Sequence, residues 1–220
     1  MKRAADYPFT ILVINPINRL LVRPISRTGL SPNAVTWLSF VLSLVAAFAL
    51  FHAAQGYFWA MVSAPLLVLS SHICDALDGD LARYTGKFSD FGGALDPILD
   101  RVGEFAYILA VGWGVSMGEV GVAAWLPSVL CLGGCLVYYY ITDAQVSRVL
   151  DARANDPRRY SVMIGDEKKP RMKLGLYEPF MYGLALGTSL GFGWETLWAF
   201  AGLFWLGSIG QLVKLYKLAR

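Results

Sequence analysis

Residues 74–101 read CDALDGDLARYTGKFSDFGGALDPILDR, placing six aspartates within the 26 residues 75–100. The run joins two apolar stretches, 57–80 and 93–115, each long enough to cross a bilayer. Charged side chains at membrane depth are costly, so they mark a function or a partner. Asp75, Asp78, Gly79 and Ala82 fall at i, i+3, i+4 and i+7, one stripe of a helix; Gly92, Asp96 and Asp100 fall at i, i+4 and i+8, one stripe of the next. If the two stripes face each other, four carboxylates converge where no bulky side chain shields the backbone. Mutual repulsion of such anions is relieved by divalent cations, and hard carboxylate oxygens in open space suit Mg²⁺ or Mn²⁺. Mg²⁺ held this way completes its shell with water and phosphate oxygens. Gly79, Ala82 and Gly92 leave room for a diphosphate, and Arg83 is placed to contact a phosphate or to balance the cluster. The chemistry expected is metal-assisted phosphoryl transfer at the cytoplasmic face of a bilayer.

The rest of the 220-residue chain agrees with a membrane setting. Hydrophobic residues make up 56% and charged residues 16%, against about 25% charged in soluble domains; mean hydropathy is +0.49. Disorder and an ordinary soluble globule are both excluded. Six apolar windows, approximately 34–53, 57–80, 93–115, 120–142, 174–191 and 195–215, predict an all-α integral membrane fold of six transmembrane helices. Before them, Arg19, Arg23 and Arg27 alternate with Ile17, Leu20, Leu21 and Ile25, the pattern of an N-terminal amphipathic helix lying in the headgroup layer; the Pro24 ring is expected to kink or end it. No apolar core of about 7–15 residues follows Lys2-Arg3, so the segment does not read as a signal peptide. One domain, 1–220, is expected, with 1–30 as a juxtamembrane segment and 143–173 as a cytoplasmic connection. Cys74, Cys131 and Cys135 lie in apolar surroundings and form no disulfide framework.

Charge predicts the orientation. The N-terminal segment, the 81–92 connection with the adjoining Arg101, the 143–173 segment and the C-terminal tail together hold all 19 Lys and Arg, and the three loops on the opposite side hold none. By the positive-inside rule, both termini and the aspartate-rich end face the cytoplasm.

The eight residues Asp75, Asp78, Gly79, Ala82, Arg83, Gly92, Asp96 and Asp100 fit D-x-x-D-G-x-x-A-R-x8-G-x3-D-x3-D without a gap. This resembles the signature of the CDP-alcohol phosphotransferases (CDP-alcohol phosphatidyltransferases), membrane enzymes of phospholipid synthesis. The likeness extends to the six-span layout, the amphipathic N-terminal helix and the Ser31–Thr36 entrance to the first span. It implies two divalent ions, Mg²⁺ or Mn²⁺, holding the diphosphate of a CDP-linked lipid, with CMP released as an alcohol attacks. It implies Asp75, Asp78 and Asp96 as metal ligands and Asp100 as a second-ion ligand, a general base, or both. Gly79, Ala82, Arg83 and Gly92 would line the CDP site, with Asn33 and Thr36 contributing. It implies a homodimer, with lipid bilayer, CDP-linked lipid and a polar alcohol as partners and no nucleic acid.

Two readings of direction stay open: CDP-diacylglycerol with a polar alcohol, which the compact size favours, and a CDP-amino-alcohol with diacylglycerol. A membrane cation transporter is the alternative of another class, but its polar residues should recur at the midplane of several spans rather than gather at one interface. A non-catalytic scaffold derived from the family is disfavoured because no signature aspartate is lost. The acceptor is expected to be a polar alcohol, phosphorylated or uncharged; Arg148 and Arg153 would suit a polyol phosphate such as inositol phosphate or glycerol phosphate, but positive-inside topology alone is the simpler reading of those charges.

Outside the signature, Asp80 and Asp90 read as solvated caps and His72 as a membrane histidine bonded to a neighbour. Glu104, one turn beyond Asp100, either supports a ligand aspartate or pairs with Arg101. Asp143 and Glu178 sit at helix ends near an expected acceptor pocket, with a capping or ion-pair role as the simpler reading. Tyr138-Tyr139-Tyr140 and the Cys131/Cys135 pair read as helix packing.

Overall fold

The computed structural model of the protein describes residues 5–142, 171–172 and 175–219. Among these the architecture is helical, apart from a two-residue parallel pairing of Ala5–Asp6 with Arg171–Met172. A π-helical turn, Thr10–Ile14, runs into α1, Asn15–Arg27. Then follow α2, Pro32–Ala54; α3, Phe58–Thr85; α4, Asp90–Ser116; α5, Trp125–Tyr139, entered through a 3₁₀ turn at Gly121–Ala124; α6, Tyr177–Ser189; and α7, Gly193–Ala219.

The helix ends have local causes. Ser31 accepts a hydrogen bond from the Ala34 amide at 3.2 Å and Pro32 opens α2, while Ser89 accepts from the Gly92 amide at 2.9 Å and starts α4. Gly86, at φ +70°, stops α3 in the left-handed region that a side chain disfavours. Pro24 does not end α1, one of the two outcomes expected from the sequence. It lies in the last turns, where only one backbone bond is lost, and the helix continues to Arg27.

Four stretches are long and apolar enough to cross a membrane: Pro32–Ala54, Phe58–Thr85, Gly121–Thr142 and Gly193–Lys217. The 27 residues of α4 reach about 40 Å, but the stretch 90–104 carries Asp90, Asp96, Asp100, Arg101 and Glu104. The 13 residues of α6 reach only about 20 Å; Pro179 sits in its first turn and Gly191, at φ +88°, follows its end.

α2 runs antiparallel to α3 and parallel to α4, and packs extensively on both. The parallel contact follows glycines spaced eleven residues apart on α4. A Cβ at Gly92 would strike the Asn33 side chain, one at Gly103 would lie 2.9 Å from Ser43 Oγ, and one at Gly114 would strike the Phe51 carbonyl oxygen. Eleven residues make close to three turns, so the three positions form one groove along α4. α5 packs on α7, where Gly134 admits Phe204 and Trp205, and Trp205 Nε1 donates to the Leu130 carbonyl at 3.0 Å. The main core runs between these groups through Leu50, Val68, Tyr107, Ile108, Leu184 and Phe204. On α1, Leu21, Val22 and Ile25 pack on Val35, Leu77 and Leu81, while Arg19, Arg23 and Arg27 are exposed. Leu20, read as part of the apolar face, points outward at 77% exposure.

Candidate active site

The aspartate stripes of α3 and α4 face each other. Carboxylate oxygens of Asp75, Asp78 and Asp96 lie within 4.8 Å of one another. Asp100, one turn beyond Asp96, meets Asp75 across a narrow cleft that Ser39, His72 and Tyr107 also line. α2 completes the arrangement: Thr36 Oγ1 donates to Asp78 Oδ2 at 2.5 Å. Asp78 is 7% exposed, and Asp96 Oδ1 is buried with no N–H or O–H of the described residues donating to it. Buried carboxylate oxygens without donors are expensive unless a cation meets them. Three convergent carboxylates, one with an unsatisfied buried oxygen, therefore fit a hard divalent ion.

The remaining signature positions surround this cluster. Asn33 and Gly92 are brought together where α2 meets α4, and Ser89 Oγ reaches Asn33 Oδ1 at 3.4 Å. The Arg83 guanidinium lies over Gly79 and pairs with Asp80 Oδ1 at 2.8 Å. Asp80 is thus an ion-pair partner within the last two turns of α3 and not a cap, because the i, i+3 spacing brings the Arg83 side chain back onto it. Asp90 opens α4 on the exposed side, with Ser89 as the cap. Ala82 is half-buried one turn after Asp78. Arg148, Arg153 and Asp143 lie outside the described residues.

His72 is bonded, as expected: its Nδ1 lies 2.7 Å from Tyr182 Oη and its Nε2 lies 3.4 Å from Thr10 Oγ1. Glu178 caps the N-terminal segment, accepting from the Phe9 amide at 2.9 Å and from the Thr10 amide and hydroxyl at 2.6 and 2.7 Å. Of the two readings of Glu104, the ion pair is the one seen: Arg101 Nη1 lies 2.7 Å from Glu104 Oε2. Sequence reasoning missed Tyr177, which reaches the cleft beside Asp75 and Asp100, and Tyr139, which lies under Arg101. No spacing links either to the signature; only an aromatic run marked Tyr139.

A sequence model of the CDP-alcohol phosphatidyltransferases matches residues 30–167. The chain belongs to this family. It is accordingly a membrane protein, in keeping with its apolar helices. Over 128 residues it is 30% identical to an archaetidylinositol phosphate synthase of Pyrococcus horikoshii, covering 58% of this chain and 61% of that one. Over 99 residues it is 35% identical to a phosphatidylinositol phosphate synthase of Cutibacterium acnes, covering 45% and 44%. The matched stretch thus spans less than two thirds of these curated relatives. Its fold is that of the phosphatidylinositol phosphate synthase PgsA1 of Mycobacterium tuberculosis. The structure with CDP-DAG bound gives a TM-score of 0.65 at 20% identity over 93% of this chain and 94% of that one. The structure in complex with manganese and citrate gives 0.63 at 22% identity over 93% and 89%.

Proposed function

We propose that this CDP-alcohol phosphatidyltransferase moves the phosphatidyl group of a CDP-linked lipid, CDP-diacylglycerol, to a polar alcohol and releases CMP. The acceptor is a phosphorylated polyol, an inositol phosphate by analogy with the named activities of its relatives. The observation that carries the reading is the convergence of Asp75, Asp78 and Asp96 on one point, with Asp100 one turn away.

Asp75, Asp78, Asp96 and Asp100 hold two divalent cations, Mg²⁺ or Mn²⁺. Bound there, the ions neutralise the diphosphate and make CMP a better leaving group. Thr36 orients the Asp78 carboxylate through its hydrogen bond. Gly79, Ala82 and Gly92 let the diphosphate approach the helix backbone, Arg83 pairs with a phosphate oxygen, and Asn33 closes the pocket beside Gly92. Asp100 takes the proton of the attacking hydroxyl onto a carboxylate oxygen. The new oxygen–phosphorus bond forms on the lipid-bearing phosphate as the bond to CMP breaks. Arg148 and Arg153 hold the phosphate of the acceptor.

We further propose the finer architecture: one domain over 1–220, six spans formed by α2 to α7, and α1 within 1–30 lying in the interface with its arginines toward headgroups. The 143–173 connection, both termini and the aspartates face the cytoplasm, and the protein works as a homodimer.

The test is CMP release from CDP-diacylglycerol by the purified chain with a panel of acceptors. Inositol phosphate is expected to support release and free inositol is not. Asp75→Asn, Asp78→Asn and Asp96→Asn should each nearly abolish turnover while leaving a monodisperse protein. Chelation should do the same, reversibly on adding Mn²⁺. Full turnover in excess chelator would overturn the proposal.

A further inference from the structure

Directly after Asp100 stands Arg101, a permanent cation next in sequence to one of the four carboxylates. Its charge acts on Asp100, and nothing in the covalent chain keeps a long guanidinium from folding onto that cluster. Yet it is turned away. Arg101 Nη1 is 2.7 Å from Glu104 Oε2, and its guanidinium carbon sits 3.5 Å from the centroid of the Tyr139 ring. Both Glu104 oxygens are engaged: Oε2 also lies 3.8 Å from Cys135 Sγ, and Tyr139 Oη donates to Oε1 at 3.4 Å. Glu104 is 3% exposed and lines the same cleft as Asp75 and Asp100 without sharing their cluster. A buried carboxylate so placed is costly, and deleting it would leave Arg101 with the aspartates as its nearest anions.

We propose that Glu104 is a positioning residue that holds the Arg101 guanidinium on Tyr139 and so keeps Asp75 and Asp100 open to cations. The inference rests on the metal reading above and assigns Glu104 no ligand role. A purely structural clamp between α4 and α5 makes a different prediction: there, losing either partner harms the site equally, and losing both restores nothing.

Mn²⁺ binding to the purified full chain in detergent, followed by the electron paramagnetic resonance signal of free Mn²⁺, separates the two. Glu104→Gln should weaken Mn²⁺ binding by roughly 10-fold to 100-fold. The double variant Arg101→Gln/Glu104→Gln should bind within about threefold of wild type, since the competing cation and the buried carboxylate that held it are both gone. Should Glu104→Gln not remain monodisperse, Glu104→Asp alone and with Arg101→Gln reads the same comparison through a carboxylate too short to hold the guanidinium. Glu104→Gln binding like wild type, or a double variant as weak as the single, would overturn the inference. Failure of wild type itself to bind Mn²⁺ would instead overturn the metal reading beneath it.

Discussion

Thr36 and Asp78 meet across 42 positions of sequence, and their 2.5 Å hydrogen bond is the direct tie between α2 and the acidic cluster. A hydrogen bond to a charged group contributes about 1.5–3 kcal/mol, roughly a 10-fold to 150-fold effect on an equilibrium that depends on it. Thr36→Val keeps the shape and removes the donor. It should raise the Mn²⁺ concentration needed for half-maximal CMP release by at least about tenfold, whereas Thr36→Ser should stay near wild type. Equal Mn²⁺ dependence in Thr36→Val and wild type would show that Asp78 needs no such support. Glu178 is a second single residue with several dependants, since two amides and a hydroxyl of Phe9 and Thr10 converge on it. Glu178→Ala should free the N-terminal turn, read as faster proteolysis within residues 5–14 of the folded protein. Cleavage no faster than in wild type would mean that the packing of Tyr7 and Phe9 on Tyr177 and Tyr182 holds the segment alone.

Between helices, the glycine groove of α4 decides how closely α2 can approach. At Gly114 an added Cβ would meet backbone, the Phe51 carbonyl, which has no rotamer to change. Gly114→Ala should therefore lower stability by about 1–3 kcal/mol despite alanine's better helix propensity. Gly202→Ala on α7, where a Cβ meets nothing within 4 Å, should be neutral or stabilising by up to about 1 kcal/mol. Thermal unfolding in detergent measures both, and equal melting temperatures would remove the groove from the account. This groove was not legible in the sequence, because a glycine in an apolar span carries no charge or periodic contrast to announce a partner. The aspartate stripes were legible, because α3 and α4 keep helical periodicity through Pro65 and Pro97 and the carboxylates stand out against apolar neighbours. The Thr36–Asp78 bond, the Tyr139 seat of Arg101 and the approach of Tyr177 depend on helices from distant parts of the chain, and no local pattern encodes them. Helix α6 shows the reverse failure: hydropathy extends across 174–191, but Pro179 and Gly191 confine the helix to Tyr177–Ser189.

At the scale of the molecule, the three connections assigned to the outer side, 54–56, 116–119 and 192–194, contain no Lys or Arg in the sequence. Single cysteines at Tyr57, Glu119 and Phe192, in a background without Cys74, Cys131 and Cys135, should be labelled from outside intact cells. A cysteine at Lys87 should react only after the membrane is opened. Labelling of Lys87→Cys from outside would reverse the assigned orientation and move the acidic cluster to the other face. The order of the helices along the chain has its own consequence. Asp75, Asp78, Asp96 and Asp100, with Asn33 and Thr36, all come from α2 to α4, whereas Tyr139 and Tyr177 come later. A chain made from its N-terminus delivers the site before the helices that finish enclosing it. On the proposed topology α4 is an inserted segment burdened with four acidic groups, Asp90, Asp96, Asp100 and Glu104, and Arg101 finds a counter-ion three residues on, in the same helix. In the proposed six-span arrangement α2 would already stand in the bilayer with a face shaped to the α4 glycines, so that this acid-bearing helix would pass into lipid against a waiting partner.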